Sequence, residues 1–433
     1  MNFDRMRALL LDQAIRGKLV PQLMAESVVE QIGAVPEDVP FEIPNKWKWV
    51  PLNNLVLKHL GGGTPSKSNA TFWNGEIPWA SVKDLKGTVL SLTRDSITEE
   101  GLNNSSSNLI PAGTVIVCTR IGLGKIAINT VPMAINQDLR ALFLSEKIDK
   151  SYFLYLYSGM RIEGAGTTVK GIKLSELLNL LIPLPPIEEQ VRIVAKLDEA
   201  FAEIDRAEKA YQELQTLSGV LRGQILQEAI QGKLVPQLDS EEAVEQIGDA
   251  PKDVPFAIPE KWKWVTLSEL VPNIVDCPHS TPKYSLEETQ YLAIDTNCIT
   301  PVGVIKSWRY VTEEIYKQRI SRLEPQKNDI IYTREGSIGR AARLPDGAKV
   351  CMGQRVMLIR PGAHLEPSYL QWYLMSHCAL SYLTAKQRGI GVKHINVSDV
   401  KKLPIPVPSL QEQRRIVDKV RELLESVDAL SRK

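Results

Sequence analysis

The sequence predicts an α+β chain. Two similar mixed α/β domains are separated by two long antiparallel coiled-coil helices, in a pseudo-two-fold, circularly closed arrangement. Three observations predict this. One long stretch keeps helical spacing throughout, the chain repeats itself at a nearly constant offset, and its two ends together supply a second copy of the long stretch.

The long stretch is 187–231. It follows Pro183, Pro185 and Pro186 and stops at Gly232. Its apolar residues, among them Ile187, Val191, Val194, Leu197, Phe201, Ile204, Tyr211, Leu214, Leu221 and Ile225, step mostly by threes and fours. That is the seam of a coiled coil. About 45 residues at ~1.5 Å each make a rod of roughly 65 Å, too long to stand without a partner. Ser218-Gly219 is the point where it would bend.

The partner is divided between the chain ends. Gln411-Glu412-Gln413-Arg414-Arg415-Ile416-Val417 repeats Glu188-Glu189-Gln190-Val191-Arg192-Ile193-Val194 at an offset of 223. Val417, Val420, Leu424 and Val427 then take the seam places of Val194, Leu197, Phe201 and Ile204. Met6, Leu10, Ala14 and Ile15 match Leu221, Ile225, Ala229 and Ile230 at an offset of 215. Lys433 is therefore equivalent to Ala210 and Met1 to Thr216, so the termini are expected to meet against the middle of the rod.

In chain order, 1–16 read as a helix closed by Gly17. Gly17-Lys18-Leu19-Val20-Pro21-Gln22-Leu23 recurs unchanged as Gly232-Lys233-Leu234-Val235-Pro236-Gln237-Leu238. Lys46-Trp47-Lys48-Trp49-Val50 recurs as Lys261-Trp262-Lys263-Trp264-Val265, more simply a strand packing its indoles than a base-stacking platform. The first variable block, 51–182, opens on Gly61-Gly62-Gly63-Thr64-Pro65-Ser66-Lys67 and carries strands at Ile77-Pro78-Trp79-Ala80 and 113–120. A helix is expected at 151–158 and a mobile loop at 164–171. Ser66 stands where a phosphate-cradling P-loop needs glycine, which excludes nucleotide hydrolysis there. Lys67 remains able to neutralise a phosphate.

The second block, 266–405, keeps the landmarks and changes the detail. Thr64-Pro65 matches Thr281-Pro282, Thr119-Arg120-Ile121-Gly122 matches Thr333-Arg334-Glu335-Gly336, Gln137 matches Gln354, and Val169-Lys170 matches Val392-Lys393. A shared frame with divergent content suggests two modules reading two targets. The net charge of +1 conceals a division. Residues 51–186 hold 13 Lys and Arg against 10 Asp and Glu, 266–409 hold 18 against 13, and 187–231 hold 5 against 9. Basic blocks suit phosphate, and an acidic helix suits protein.

Five scattered cysteines without a CxxC fit a reducing cytoplasm. The start of the chain is no signal peptide, and no apolar run approaches 18 residues. The five histidines have no metal-ligand spacing. No nucleophile elbow, Walker lysine, Gly-x-Gly-x-x-Gly or Asn/Asp-Pro-Pro-aromatic tetrapeptide is present.

This pattern resembles the specificity (S) subunits of Type I restriction–modification enzymes. The residues that carry it are the duplicated Gly-Lys-Leu-Val-Pro-Gln segments, the Pro-Leu-Pro-Pro-Ile-Glu-Glu-Gln start of the central helix with its copy before the C-terminal helix, and the Gly-Gly-Thr-Pro…Ile-Pro-Trp opening of block one. The match spans essentially the whole chain, although block two has Ser280-Thr281-Pro282 in the first place and lacks Ile-Pro-Trp.

The resemblance implies a non-catalytic subunit in which each block is a target recognition domain reading one half of a bipartite site in double-stranded DNA. The helices set the spacing and dock two modification subunits, which carry S-adenosylmethionine and methylate adenine. Restriction subunits join through them, and this chain itself binds no cofactor and no metal. The domains would be 1–23, part of the distal helical region; 24–186, recognition domain one; 187–231, the spacer helix; 232–409, recognition domain two; and 410–433, completing the distal region. The candidate DNA face comprises Gly62, Thr64, Lys67, Arg120, Lys125 and Lys170 in block one, and Thr281, Lys283, Arg334, Arg340, Lys393 and His394 in block two. The candidate seam and docking residues are Val194, Leu197, Phe201, Ile204, Val417, Val420, Leu424 and Val427. The competing readings are a scaffold or adaptor whose two blocks bind proteins, and an enzyme with an unrecognised site.

Overall fold

The computed structural model describes residues 2–34, 36, 38–164, 171–385 and 394–432. Contacts divide the chain into two compact units, Met1–Ala210 and Tyr211–Lys433.

The first unit begins with the helix Phe3–Ile15, capped by the Asn2 side chain, which accepts from the Arg5 amide. The helix ends in a Schellman turn. Lys18 N donates to Gln13 O and Gly17 N to Ala14 O, with Gly17 at φ +65°. A Cβ on Gly17 would fall 2.4 Å from Pro44 Cγ, so only glycine closes the helix against the proline-rich lead-in. The second unit repeats the device. Lys233 N donates to Glu228 O, and a Cβ on Gly232, at φ +70°, would fall 2.3 Å from Pro259 Cγ.

Each unit has a two-stranded antiparallel ladder at the foot of its block. Lys48–Pro51 pairs with Leu181–Leu184, and Lys263–Thr266 with Pro404–Val407, in matching register. Trp47, Trp49, Trp262 and Trp264 are buried, as expected of packing indoles rather than a base platform. Above the first ladder stand a five-stranded sheet, in the order Val56–Gly61, Leu139–Leu144, Val115–Cys118, Ile126–Asn129, Val89–Leu90, and a four-stranded sheet built around Trp73–Ala80 and Met133–Ile135. Above the second stand a four-stranded sheet, Asn273–Asp276, Val356–Arg360, Ile330–Thr333, Ala341–Arg343, and a three-stranded one centred on Tyr291–Ile294. Alternate residues of these strands are β-branched or aliphatic and close the cores. The extra length of block two includes a second short helix, His377–Thr384, after Pro367–Met375.

The central helix, Ile187–Ile230, runs through Ser218 and Gly219 without a break. In the first unit Phe3–Ile15 lies along it. Arg7 donates to Asp205 and Glu208 at 2.6 Å each, while Ala14 packs in one core with Ile193 and Leu197, which makes the pair antiparallel. In the second unit the helix Leu410–Arg432 does the same. Arg222 pairs with Asp428, and Ile225 and Ala229 join Ile416, Val417, Val420 and Val427.

Leu197, Ile204, Val417, Val420 and Val427 are buried, and Val194, Phe201 and Leu424 half-buried. Ile187, Val191 and Leu221, expected on the seam, are exposed instead. The first turn turns Glu189, Gln190 and Ile193 inward in their place. Gln190 explains why. Its amide donates to Lys147 O and Pro185 O, and its oxygen accepts from Asp149 N. Gln413 repeats the set with His364 O, Pro408 O and Glu366 N. Satisfying three buried backbone groups outweighs hiding Val191.

Candidate nucleic-acid interface

In the first block the loop Gly62-Gly63-Thr64-Pro65 is fastened to the sheet. A Cβ on Gly62 would lie 2.0 Å from the Ile135 carbonyl oxygen. The Gly63 carbonyl accepts from the buried Trp79 indole at 3.0 Å and from Ser107 Oγ at 2.7 Å. The Gly-Gly-Thr-Pro and Ile-Pro-Trp motifs are therefore two halves of one joint. Thr64 Oγ1 then donates to the Gln137 side chain.

Next to Gln137, the Asp138 carbonyl accepts from Thr119 N at 2.8 Å, and its carboxylate stands 3.6 Å from Arg120. Gly62, Thr64 and Arg120 thus gather around the turn 135–138, at one end of the sheet. Lys125 is exposed on the same hairpin tip as Arg120, its carbonyl accepting from Cys118 N. Lys67 is exposed on the loop after Pro65, which the Trp73 indole holds through Ser66 O. Lys170, with most of the expected mobile loop, lies outside the described residues.

The second block has a different end. Arg334 is largely buried, 11% exposed at the side chain, and pairs through Nη1 with Asp276. Glu335 bridges backbone to backbone with His394, which is exposed. Arg340 is half-buried, and its guanidinium donates to Ile299 O at 2.7 Å. Thr281 and Lys283 are exposed on the segment after Pro278. Lys393 lies outside the described residues. A cavity of about 180 Å³ opens here, lined by Cys277, Pro278, His279, Arg334, Glu335, Gln354 and Arg355.

The ladders correct the pairing of Thr119-Arg120 with Thr333-Arg334. Leu139 faces Cys118, and Val356 faces Thr333. Ile172 N donates to Thr119 O, and Ile395 N to Arg334 O. Arg120 bridges Gly171, as Glu335 bridges His394. Even the left-handed residue agrees, being Ile121 in one block and Gly336 in the other. Arg334 is thus equivalent to Thr119, and Arg120 to Glu335. Aligning the letters slips the strand by one residue, and one residue reverses the face of every side chain. Arg355, which the sequence reading passed over, stands at the position of Asp138.

Burial pushes the Cys118 thiol up to about 12 and raises that of Cys277, which lines the second tip's cavity. Among the described residues no group of His, Cys, Asp and Glu could hold a metal ion, and no helix is long and apolar enough to cross a membrane.

Fold and site define a duplicated chain that presents two polar sheet ends, alike in frame and unlike in side chains. Residues 44–216 and 259–433 each match the Type I restriction modification DNA specificity domain, and the chain belongs to that family. The Escherichia coli Type I restriction enzyme EcoR124I/EcoR124II specificity subunit is 40% identical over 163 residues, covering 35% of this chain and 40% of that protein. The Escherichia coli EcoBI specificity subunit is 25% identical over 313 residues, covering 70% and 64%. The chain thus spans less than two thirds of the length of these two relatives. Among solved structures, a chain of a type I R-M system aligns with TM-score 0.63 at 22% identity, over 91% of this chain and 94% of that one. The HsdS subunit from Thermoanaerobacter tengcongensis aligns with TM-score 0.50 at 21% identity, over 91% and 93%. Both share the fold.

Proposed function

We propose that the chain is the sequence-specific DNA-recognition subunit of a Type I restriction–modification complex and works in the cytoplasm without catalysing a step itself. Each block reads one half of a bipartite site. The helices fix the gap between half-sites and dock two modification subunits, and restriction subunits assemble through those. S-adenosylmethionine binds the modification subunits, which transfer its methyl group to adenine. The observation that carries this reading is the pair of register-matched frames ending in unlike polar tips. A shared frame is what two readers on one duplex need, and unlike tips are what two different half-sites need. Family membership favours it over the adaptor reading of the same layout.

The test is methylome sequencing of a host that expresses the chain together with its modification partner. The reading requires methylated adenines within a motif of two defined halves separated by a fixed run of undefined bases. No new methylation, or one uninterrupted motif, would overturn it.

A further inference from the structure

Each tip has an ion pair at equivalent positions with the signs exchanged, and in the second tip Glu335 also stands 3.8 Å from Arg334. In the first block Arg120 faces Asp138 at 3.6 Å; in the second Glu335 faces Arg355 at 3.8 Å. The cation has crossed from one side of the tip to the other. A second exchange accompanies it, since Thr119 and Gly61 of the first block become Arg334 and Asp276 in the second.

We propose that Arg355 is the side chain with which the second block reads a guanine of its half-site, the working counterpart of Arg120, and that Arg334 supports the fold behind it. This rests on the DNA reading above. Arg334 is not free to reach a ligand. Withdrawing its guanidinium would strand the half-buried carboxylate of Asp276 without its strongest partner.

Arg355 is in the opposite condition. Its side chain is 58% exposed, and Glu335 holds it at a distance longer than a hydrogen bond, which restrains an exposed arginine only weakly. Its backbone is fixed, because φ is +63° and its carbonyl accepts from Arg334 N at 2.9 Å. The side chain therefore leaves the sheet end from a rigid point. The adjacent acid also selects the ligand. Glu335 repels a phosphate placed on Arg355 but not the neutral O6 and N7 edge of guanine, which takes a bidentate arginine.

The experiment determines the methylated motif in cells carrying the modification partner and the wild-type chain, Arg355→Asn, Arg120→Gln or Arg334→Gln. Thermal melting of each purified chain is measured in parallel. Asparagine is chosen because it tolerates a positive φ. Arg355→Asn should melt as the wild type does and lose roughly 10- to 100-fold discrimination at one guanine of the second half-site, leaving the first half intact. Arg120→Gln should do the same in the first half only. Arg334→Gln should melt lower and retain the motif. The inference is overturned if Arg355→Asn leaves the second half-site unchanged, or weakens all sites alike as a phosphate contact would. It is also overturned if Arg334→Gln relaxes the motif without lowering the melting temperature. A wild-type chain that directs no bipartite methylation would instead refute the DNA reading itself.

Discussion

Replacing Arg415 by alanine tests the join between the lead-in and the helix Leu410–Arg432. The Glu241 side chain, 1% exposed, accepts from Arg415 Nε at 2.9 Å and from Nη2 at 2.7 Å on both oxygens, and also from Leu238 N at 3.2 Å. Arg415 reaches Pro236 O as well. Alanine leaves a carboxylate buried without its counter-ion, which costs about 3–5 kcal/mol. For a unit of this size that lowers the melting temperature by roughly 6–20 °C. Calorimetry on the full chain measures it. Glu241→Gln added to Arg415→Ala removes the stranded charge and should recover part of the loss. A loss under about 1 kcal/mol for the single variant, or a double variant no more stable than the single, would refute the reasoning. The first unit offers an internal replicate, since Arg192 binds Glu26 and Pro21 O in the same way.

Three further outcomes follow from the same frame. Burial raises the pKa of the Glu189 and Glu412 carboxyls against a pull from the Trp47 and Trp262 indoles, which face them without closing a full hydrogen bond. An acid raised in the folded state contributes stability that is present below its unfolded pKa and lost as pH rises through the folded one. Glu189→Gln and Glu412→Gln should therefore raise the melting temperature at pH 7–8 and change little near pH 4; a pH-independent effect would contradict this. Cβ atoms on Gly219 and Gly223 would meet nothing within 4 Å, so alanine at each should stabilise the helix by about 1 kcal/mol. Loss of stability on denaturant titration would show that this face is occupied. Inserting one helical turn within 199–217 should change the gap in the methylated motif and neither half of it; an unchanged gap would remove the helices from the role of spacer.

The frame was legible because it is written twice. Gly17 and Gly232 need the same left-handed turn, and Gln190 and Gln413 close the same three bonds, so these residues recur at fixed offsets. The coupling of Gly63 to Trp79 was visible as two motifs, and only the structure makes them one contact. The tips were less legible for a physical reason. Thr-Arg-x-Gly occurs in both blocks, but the ladder sets register by hydrogen bonds rather than by letters, and it places Arg334 opposite Arg355 rather than at the position of Arg120. Two residues gained between the Thr333 and Val356 strands, relative to Cys118 and Leu139, hid the slip. The seam failed at Val191 for the converse reason. Glu189 and Gln190 are polar yet buried, because Glu189 accepts from Gln22 of the lead-in at 3.4 Å and Gln190 bonds the backbone of Lys147, Asp149 and Pro185.

On the proposed function, one scaffold is used twice and carries two interchangeable readers. The matching ladders at 48–51 with 181–184 and 263–266 with 404–407 supply the graft points. The most direct measurement replaces residues 267–403 by a second copy of 52–180 and sequences the methylated motif in cells that carry the modification partner. The expected outcome is a bipartite motif whose two halves are the same sequence, that of the wild-type first half. Retention of the original second half-site would contradict it, as would a folded graft that directs no methylation.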